Sequence, residues 1–335
     1  MPHRVGHLWE KIGTPENIRA AWDVFNKNRP PRRRREYREA VAAEVLEELA
    51  KIARGDDSTL FMQVKHKTIV EHGKERKLEI PSLRSCIGQQ AVLNHLAPVI
   101  DSRLHGRTYS SRPGWGMHKC AKAQMKFINI SVKASKYFLY FDIKKFYEHI
   151  RHEDAIEAVK RIVKDEACIR LVAAIINATP KGLPIGFTGS HYFANLLLVP
   201  LYHLIMGIKN VSECYVYMDN FIVYGRTKRA LHHAIGEAAA WLDEHGMSVK
   251  SDWQIAPVDF RPVSTCGVRL RRRHTPQLYP KLFRRTCKGM VKFITTHDKH
   301  VARGLISRFG WLKLVGRENI LSDVVPLDYV KGKAK

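Results

Sequence analysis

The chain has 335 residues, 57 of them Lys or Arg against 32 Asp or Glu, for a formal net charge of +25, and 45% are hydrophobic. That length and apolar content exclude a disordered tail, a peptide toxin or a single small module, and suffice for two or three compact lobes with a sizeable core. So large a positive excess calls for a polyanionic partner or an anionic surface; nucleic acid is the first candidate, and charge alone does not separate RNA, DNA and membrane.

The cysteines (Cys86, Cys120, Cys168, Cys214, Cys266, Cys287) are scattered without a CxxC pair, so neither a disulfide framework nor a structural zinc site is indicated and a reducing cytoplasm fits. His3, Arg4, His7, Glu10 and Lys11 occupy the stretch a signal peptide would keep apolar, so export is not expected. The most apolar run, Phe193 to Ile208, is interrupted by Asn195, Pro200 and His203 and falls short of the about 20 residues of a membrane span. It reads as buried core, with no membrane partner.

In chain order, Pro30-Pro31-Arg32-Arg33-Arg34-Arg35 could grip phosphates or be a solvated linker. Val41, Val45, Leu46, Leu49 and Ile52 predict an amphipathic helix over 36–54, stopped by Gly55. Residues 61–81 alternate as a β-hairpin turning at His72-Gly73, with a basic tip of Lys74, Arg76 and Lys77. A core-facing helix follows at Ile87, Ala91, Val92, His95 and Leu96, then a loop with Gly106, Pro113, Gly114 and Gly116. Tyr137 to Ile143 is a continuous aromatic and apolar run, as in a strand buried on both faces, and it contains Asp142 near its end. Helices are expected over Ala155–Val163, Leu171–Ile176 and Leu231–Leu242. Strands Cys214–Met218 and Phe221–Tyr224 flank Asp219-Asn220 as a two-residue turn, and short strands lie near 247–249, 253–256 and 266–270. The last 60 residues are basic and helical.

Asp142 closes a buried strand and Asp219 tops a hairpin. An ionised carboxylate at an apolar strand end is costly unless compensated. Two of them on adjacent strands, with a main-chain oxygen nearby, would suit Mg²⁺. Equally, on spacing alone, Asp142 could start a loop and Asp219-Asn220 be a plain turn.

The succession of motifs resembles a reverse transcriptase over nearly the whole chain. Gly73 to Pro81 is similar to the fingers hairpin, which implies that Lys74 and Arg76 hold the incoming dNTP. Tyr109 to Gly114 resembles the next fingers motif, with Arg112 toward nucleic acid. Phe141 to Tyr147 resembles the first palm motif: Asp142 is then a metal ligand, Ile143 lends its carbonyl, and Tyr147 is the aromatic gate against a ribose 2′-hydroxyl. Gly182-Leu183-Pro184-Ile185-Gly186, with Ser190 and Asn195, resembles the palm motif beneath the templating base, placing Ile185 and Gly186 at the nucleotide. Tyr217-Met218-Asp219-Asn220 resembles the metal-binding hairpin, and Cys266 to Arg269, with Gly267, the primer grip. Asn220 departs from the family pattern, which has a second Asp there; Asn keeps an oxygen but loses a charge. Either Asp142 and Asp219 suffice, or activity falls or prefers Mn²⁺, or catalysis is lost. Lys250 lies near the position of a fourth palm motif, but an ungapped match falls on Trp253, so no role is assigned to it.

The resemblance implies an α+β right-hand polymerase fold: a helical N-terminal extension over 1–58, fingers over 59–136, a palm over 137–270 with a fingers segment at about 151–185, and a helical thumb over 271–335. Arg284, Arg285 and Lys288 on the thumb would grip an RNA/DNA duplex through its phosphates. Ile185, where most reverse transcriptases carry Gln, together with Trp253 to Asp259 and Phe309 to Lys313, is similar to the enzymes of diversity-generating retroelements and their phage-borne relatives, though His191 replaces a Gln of that branch. That branch implies error-prone copying of a template RNA, especially opposite adenine, Mg²⁺ or Mn²⁺ as cofactor, and a small basic accessory protein as partner. A phage-defence enzyme or a catalytically decayed RNA-binding scaffold are the alternatives.

Overall fold

The computed structural model describes residues 3–27, 29–71 and 74–317, which divide into two compact units. The first gathers the chain up to residue 111 with 143–204 and 237–250; the second gathers 112–142, 205–236 and the chain from 251 onward.

The first unit opens with helices α1 (Trp9–Ile12), α2 (Pro15–Lys27) and α3 (Glu39–Arg54). Helix α3 starts later than its apolar spacing suggests, buries Ala42, Val45, Leu49 and Ile52, and is closed by Gly55 at φ 99°, whose N–H caps Lys51 and Ile52. The arginine-rich run before it is exposed, with a short 3₁₀ turn over Pro31–Arg33. Strands β1 (Val64–Glu71) and β2 (Lys74–Pro81) pair antiparallel from Val64↔Pro81 to Glu71↔Lys74; the turn expected at His72-Gly73 lies outside the described residues. Helix α4 (Leu83–Arg103) is capped by the Ser82 hydroxyl, which accepts the Ser85 N–H. The unit continues with α6 (Phe146–His149), α7 (His152–Lys160), α8 (Glu166–Ile176) and α9 (Thr188–Leu197), then α10 (Val199–Met206) across its boundary. The apolar run from Phe193 is therefore parts of two helices, with Phe193, Leu201 and Ile205 wholly buried. Among the described residues no helix is long and apolar enough to cross a membrane.

The second unit holds α5 (Met117–Ile130) and a four-stranded antiparallel sheet of β3 (Tyr137–Asp142), β4 (Val211–Tyr217), β5 (Asn220–Gly225) and β6 (Gln254–Pro257), in the order β4-β5-β3-β6. Its central strands are the apolar runs, with Phe138, Leu139, Phe141, Phe221, Val223 and Tyr224 excluded from solvent. Helix α11 (Lys228–Glu244) follows β5 and crosses the boundary, its residues from Glu237 on belonging to the first unit. A smaller sheet comprises β7 (Val263–Thr265), β8 (Val268–Leu270) and β9 (Gln277–Leu278), and helices α12 (Pro280–Thr296) and α13 (Lys299–Leu314) follow it. The strand expected from Cys266 begins only at Val268. Cys266 and Gly267, at φ 45° and 79°, are instead the two turn residues between β7 and β8, where the tight hairpin requires left-handed backbone. Helix α12 buries Thr286, Met290 and Phe293 and exposes Arg284, Arg285 and Lys288.

Candidate active site

The second unit brings Asp142, Asp219 and Asn220 together through strand register. Strand β3 is apolar up to Asp142, which pairs directly with Asn220 of β5, and Asn220 in turn pairs with Tyr217 of β4. The hairpin therefore turns at Met218-Asp219, one residue earlier than expected, with Met218 at φ 55°. Cross-strand partners share a face, so Asp142, Asn220 and Tyr217 project to one side, as do Tyr140, Ile222, Tyr215 and Gln254 one step down the sheet. Asn220, Tyr217 and the Tyr140 row of that face line a cavity of about 480 Å³ together with Met117, Cys120 and Gln124 of α5 and the 264–267 segment, while Asp142 and Asp219 are not among its lining residues.

Asn220 is held at both ends. The Tyr140 hydroxyl donates to its Oδ1 at 3.1 Å, and its Nδ2 donates to Asp219 Oδ1 at 3.1 Å. Burial first, and then the negative fields of Asp142 and Asp252, push the Tyr140 phenol well above the ordinary tyrosine range, so it stays protonated and donates. Asp142 is only 6% exposed at the end of an apolar strand, a position where a carboxylate charge needs compensation. Oxygen donors, two of them carboxylates, fit a hard divalent cation such as Mg²⁺. Among the described residues no group of three His, Cys, Asp or Glu side chains is placed to hold a metal. Ile143, whose carbonyl is the expected additional oxygen, is wholly buried and bridges to Val249.

Gln124 is a residue without a sequence signal. Fully buried on α5, it accepts from the Tyr224 hydroxyl at 3.1 Å and donates to Thr265 Oγ1 at 3.0 Å, tying β5 to β7. Gly267 packs where a Cβ would lie 3.0 Å from the Trp311 ring, so a side chain there would crowd the indole at a φ of 79° that already disfavours one. Arg112 lies over the Trp115 ring at 4.2 Å. Arg284, Arg285 and Lys288 are exposed along α12.

In the first unit Tyr147, Ile185 and Gly186 lie around the 182–191 segment. The Leu183 N–H donates to the Tyr147 carbonyl at 2.8 Å, and the Tyr147 hydroxyl lies 2.7 Å from His191 Nδ1. Ile185 bonds twice to Glu79 of β2: its N–H donates to the side-chain Oε2 and its carbonyl accepts the Glu79 backbone N–H. Gly186, at φ 124°, approaches the Glu79 carbonyl so closely that a Cβ would lie 2.4 Å from its oxygen. Its close backbone approach is thus to the hairpin itself, where an approach to nucleotide or template was expected. Lys74 and Arg76 share strand β2 with Glu79, opposite Glu71 and Ile69. Ser190 and Asn195, expected at nucleic acid, are 2% and 4% exposed. The Ser190 hydroxyl donates to the Pro184 carbonyl, and Asn195 exchanges bonds with Ser110. Ser190 therefore braces the 182–191 loop and Asn195 holds the segment at Ser110, both from within, and neither presents its side chain to a duplex.

A family described as reverse transcriptase (RNA-dependent DNA polymerase) matches residues 61–252, more than half of the chain. The chain belongs to that family, a class of nucleotidyltransferases, and its mixed helices and antiparallel sheets are the α+β right-hand polymerase fold. Among curated proteins it is similar to protein YkfC of Escherichia coli (strain K12), 24% identical over 138 residues, which are 38% of this chain and 36% of that protein. Similar solved structures include apo telomerase from Candida tropicalis truncated from its C-terminal domain, at 16% identity and TM-score 0.49, covering 67% of this chain and 57% of that one. Telomerase from Candida albicans in complex with a TWJ fragment of telomeric RNA gives 9% identity and TM-score 0.49, covering 86% of this chain and 62% of that one. The chain thus spans about a third of the curated relative and less than two thirds of either telomerase chain. Structural likeness at that level is too low to carry a fold assignment, which rests on the family match.

Proposed function

We propose that the protein is an RNA-directed DNA polymerase that copies a template RNA into cDNA by adding dNTPs to a primer 3′-hydroxyl. The observation that carries this reading is the meeting of Asp142, Asp219 and Asn220 at one end of three adjacent strands, inside the span of the family match. Mg²⁺ or Mn²⁺ bound there would lower the pKa of the attacking hydroxyl and neutralise the departing pyrophosphate. Asp142 and Asp219, with the Ile143 carbonyl, hold the cation, and Asn220 orients Asp219 through its amide N–H. Lys74 and Arg76 on β2 bind the triphosphate, and Tyr147 excludes a 2′-hydroxyl. Ile185 and Gly186 border the base pair. Arg112, Gly267, Arg284, Arg285 and Lys288 follow the RNA/DNA duplex. In this reading 59–136 act as fingers, 137–270 as palm with an inserted fingers segment, and 271–335 as thumb, behind the N-terminal extension.

Within this class, the Gly182-Leu183-Pro184-Ile185-Gly186 run supports an error-prone, cytoplasmic enzyme of the diversity-generating retroelement type, working with a small basic accessory protein. A phage-defence enzyme shares the same chemistry and is separated from it by the neighbouring genes. The amide at Asn220 favours one further reading, a scaffold that binds RNA without incorporating nucleotides.

Primer extension on a generic RNA template, in Mg²⁺ and separately in Mn²⁺, tests the proposal. Extension by the wild type that Asp142→Ala abolishes is the expected result, with misincorporation opposite adenine in the sequenced product. If wild type is silent while Asn220→Asp extends the primer, the scaffold reading replaces it.

A further inference from the structure

Tyr147 is fixed at both its backbone and its ring tip. Its carbonyl accepts the Leu183 N–H at 2.8 Å, and Gly182 sits so close that a Cβ there would lie 2.4 Å from the same oxygen. Its ring meets Phe146 edge-on at a centroid distance of 5.4 Å. At the far end its hydroxyl lies 2.7 Å from His191 Nδ1, with the two rings perpendicular and their centroids 5.7 Å apart. His191 stands on the first turns of α9, and the start of that helix is held in place. The Ser190 hydroxyl reaches back to Pro184, and the Thr188 N–H donates to the buried Gln89 side chain. Burial pulls the His191 imidazole below its ordinary pKa. That favours the neutral ring, whose Nε2–H tautomer leaves Nδ1 to accept the phenol O–H.

From this geometry we infer that His191 is a positioning residue that locks the Tyr147 ring and thereby sets how strongly the polymerase rejects ribonucleotides. The inference rests on the reading of Tyr147 as the group beneath the incoming sugar. A tyrosine tethered only by its backbone keeps two free side-chain torsions and can swing away from an added 2′-hydroxyl. Tethered at its hydroxyl, it cannot do so without breaking a hydrogen bond in a half-buried site, where such a bond contributes about 0.5–1.5 kcal/mol. That is a change of about 2- to 13-fold in a ratio of rates.

The experiment measures kcat/KM for a dNTP and for the matching rNTP on one primer–template, each variant's two values coming from the same preparation. Partial misfolding lowers both values and cancels in the ratio. His191→Ala is expected to cut the dNTP preference several-fold, and Tyr147→Phe, which keeps the ring and removes the tether, should cut it to the same extent. The double variant should be no worse than either single one, since both remove one interaction. His191→Gln, which retains a side-chain acceptor for the phenol, should recover most of the preference. Tyr147→Ala should abolish it. Collapse in Tyr147→Ala with His191→Ala at the wild-type ratio overturns the inference and leaves the gate intact. An unchanged ratio in Tyr147→Ala overturns the gate, and the inference with it.

Discussion

Asn220→Asp restores the carboxylate that the family pattern carries, and the structure predicts that it weakens the fold while improving the cation site. Asn220 Nδ2 donates to Asp219 Oδ1 at 3.1 Å, and Asp cannot. The lost bond costs about 1 kcal/mol. Two carboxylates at the same separation repel by on the order of 1 to 5 kcal/mol between water-like and protein-like screening. Proton uptake caps this repulsion, because protonating a carboxylate of ordinary pKa at pH 7 costs about 4 kcal/mol. Since Asp219 and Asn220 are partly exposed, the lower part of the range applies, and a net loss of about 2–3 kcal/mol is expected in EDTA. Facing Asp219, the new carboxyl has a folded pKa above its unfolded value. The folded state therefore binds protons more tightly, and the deficit is largest at pH 8 and shrinks toward pH 4. Saturating Mg²⁺ should also shrink it, and the variant should bind Mg²⁺ more tightly than wild type. Urea unfolding of both proteins, with EDTA and with Mg²⁺, at pH 8 and pH 5, measures each of these differences. A deficit that ignores both Mg²⁺ and pH would show that residue 220 does not face Asp219 across a cation site.

Two other predictions concern the first unit. Gly186→Ala places a Cβ 2.4 Å from the Glu79 carbonyl oxygen at a backbone φ of 124°, so it should cost at least about 2 kcal/mol and loosen β2 from the 182–191 segment; a denaturation midpoint equal to wild type would contradict this. Asp165 caps α8 and accepts N–H bonds from Leu8, Trp9 and Cys168. Burial alone would raise its pKa, but those backbone bonds outweigh it and hold the carboxyl below its ordinary value. Its stabilising effect is therefore present above the unfolded pKa of about 3.9 and is lost as pH falls through the folded one. Asp165→Asn should cost about 1–2 kcal/mol at pH 7 and progressively less below pH 4, by unfolding midpoints at both pH values, and an equal gap at both would contradict the linkage.

Legibility of the fold in the sequence followed how local each element's cause is. Strand β3 stands out because a continuous aromatic and apolar run needs burial on both faces wherever it sits. Helix α5 does not, because Lys119, Lys122 and Lys126 interrupt its apolar pattern and its buried stripe of Cys120, Ala121, Gln124 and Ile128 includes an amide. Gln124 is tolerated there only because Tyr224 and Thr265, 100 and 141 residues further on, supply its partners. Similarly, Ser190 and Asn195 read as nucleic-acid-binding residues of a motif, whereas their partners Pro184 and Ser110 turn them inward.

The one-residue displacement of the β4–β5 turn has the same origin and bears most directly on the chemistry. Asp-Asn is good turn chemistry locally, but pairing Asn220 with both Tyr217 and Asp142 extends the sheet by a rung and places the left-handed backbone at Met218. In a turn, Asn220 would have been a carboxylate replaced by its uncharged counterpart, and the substitution would read only as a lost charge. In the strand, its two ends are used differently: the oxygen accepts from Tyr140, and the nitrogen donates to Asp219. An aspartate could do the first and not the second. In the proposed cation site the amide would therefore exchange one unit of attraction for a dication against a fixed orientation of the carboxylate beside it.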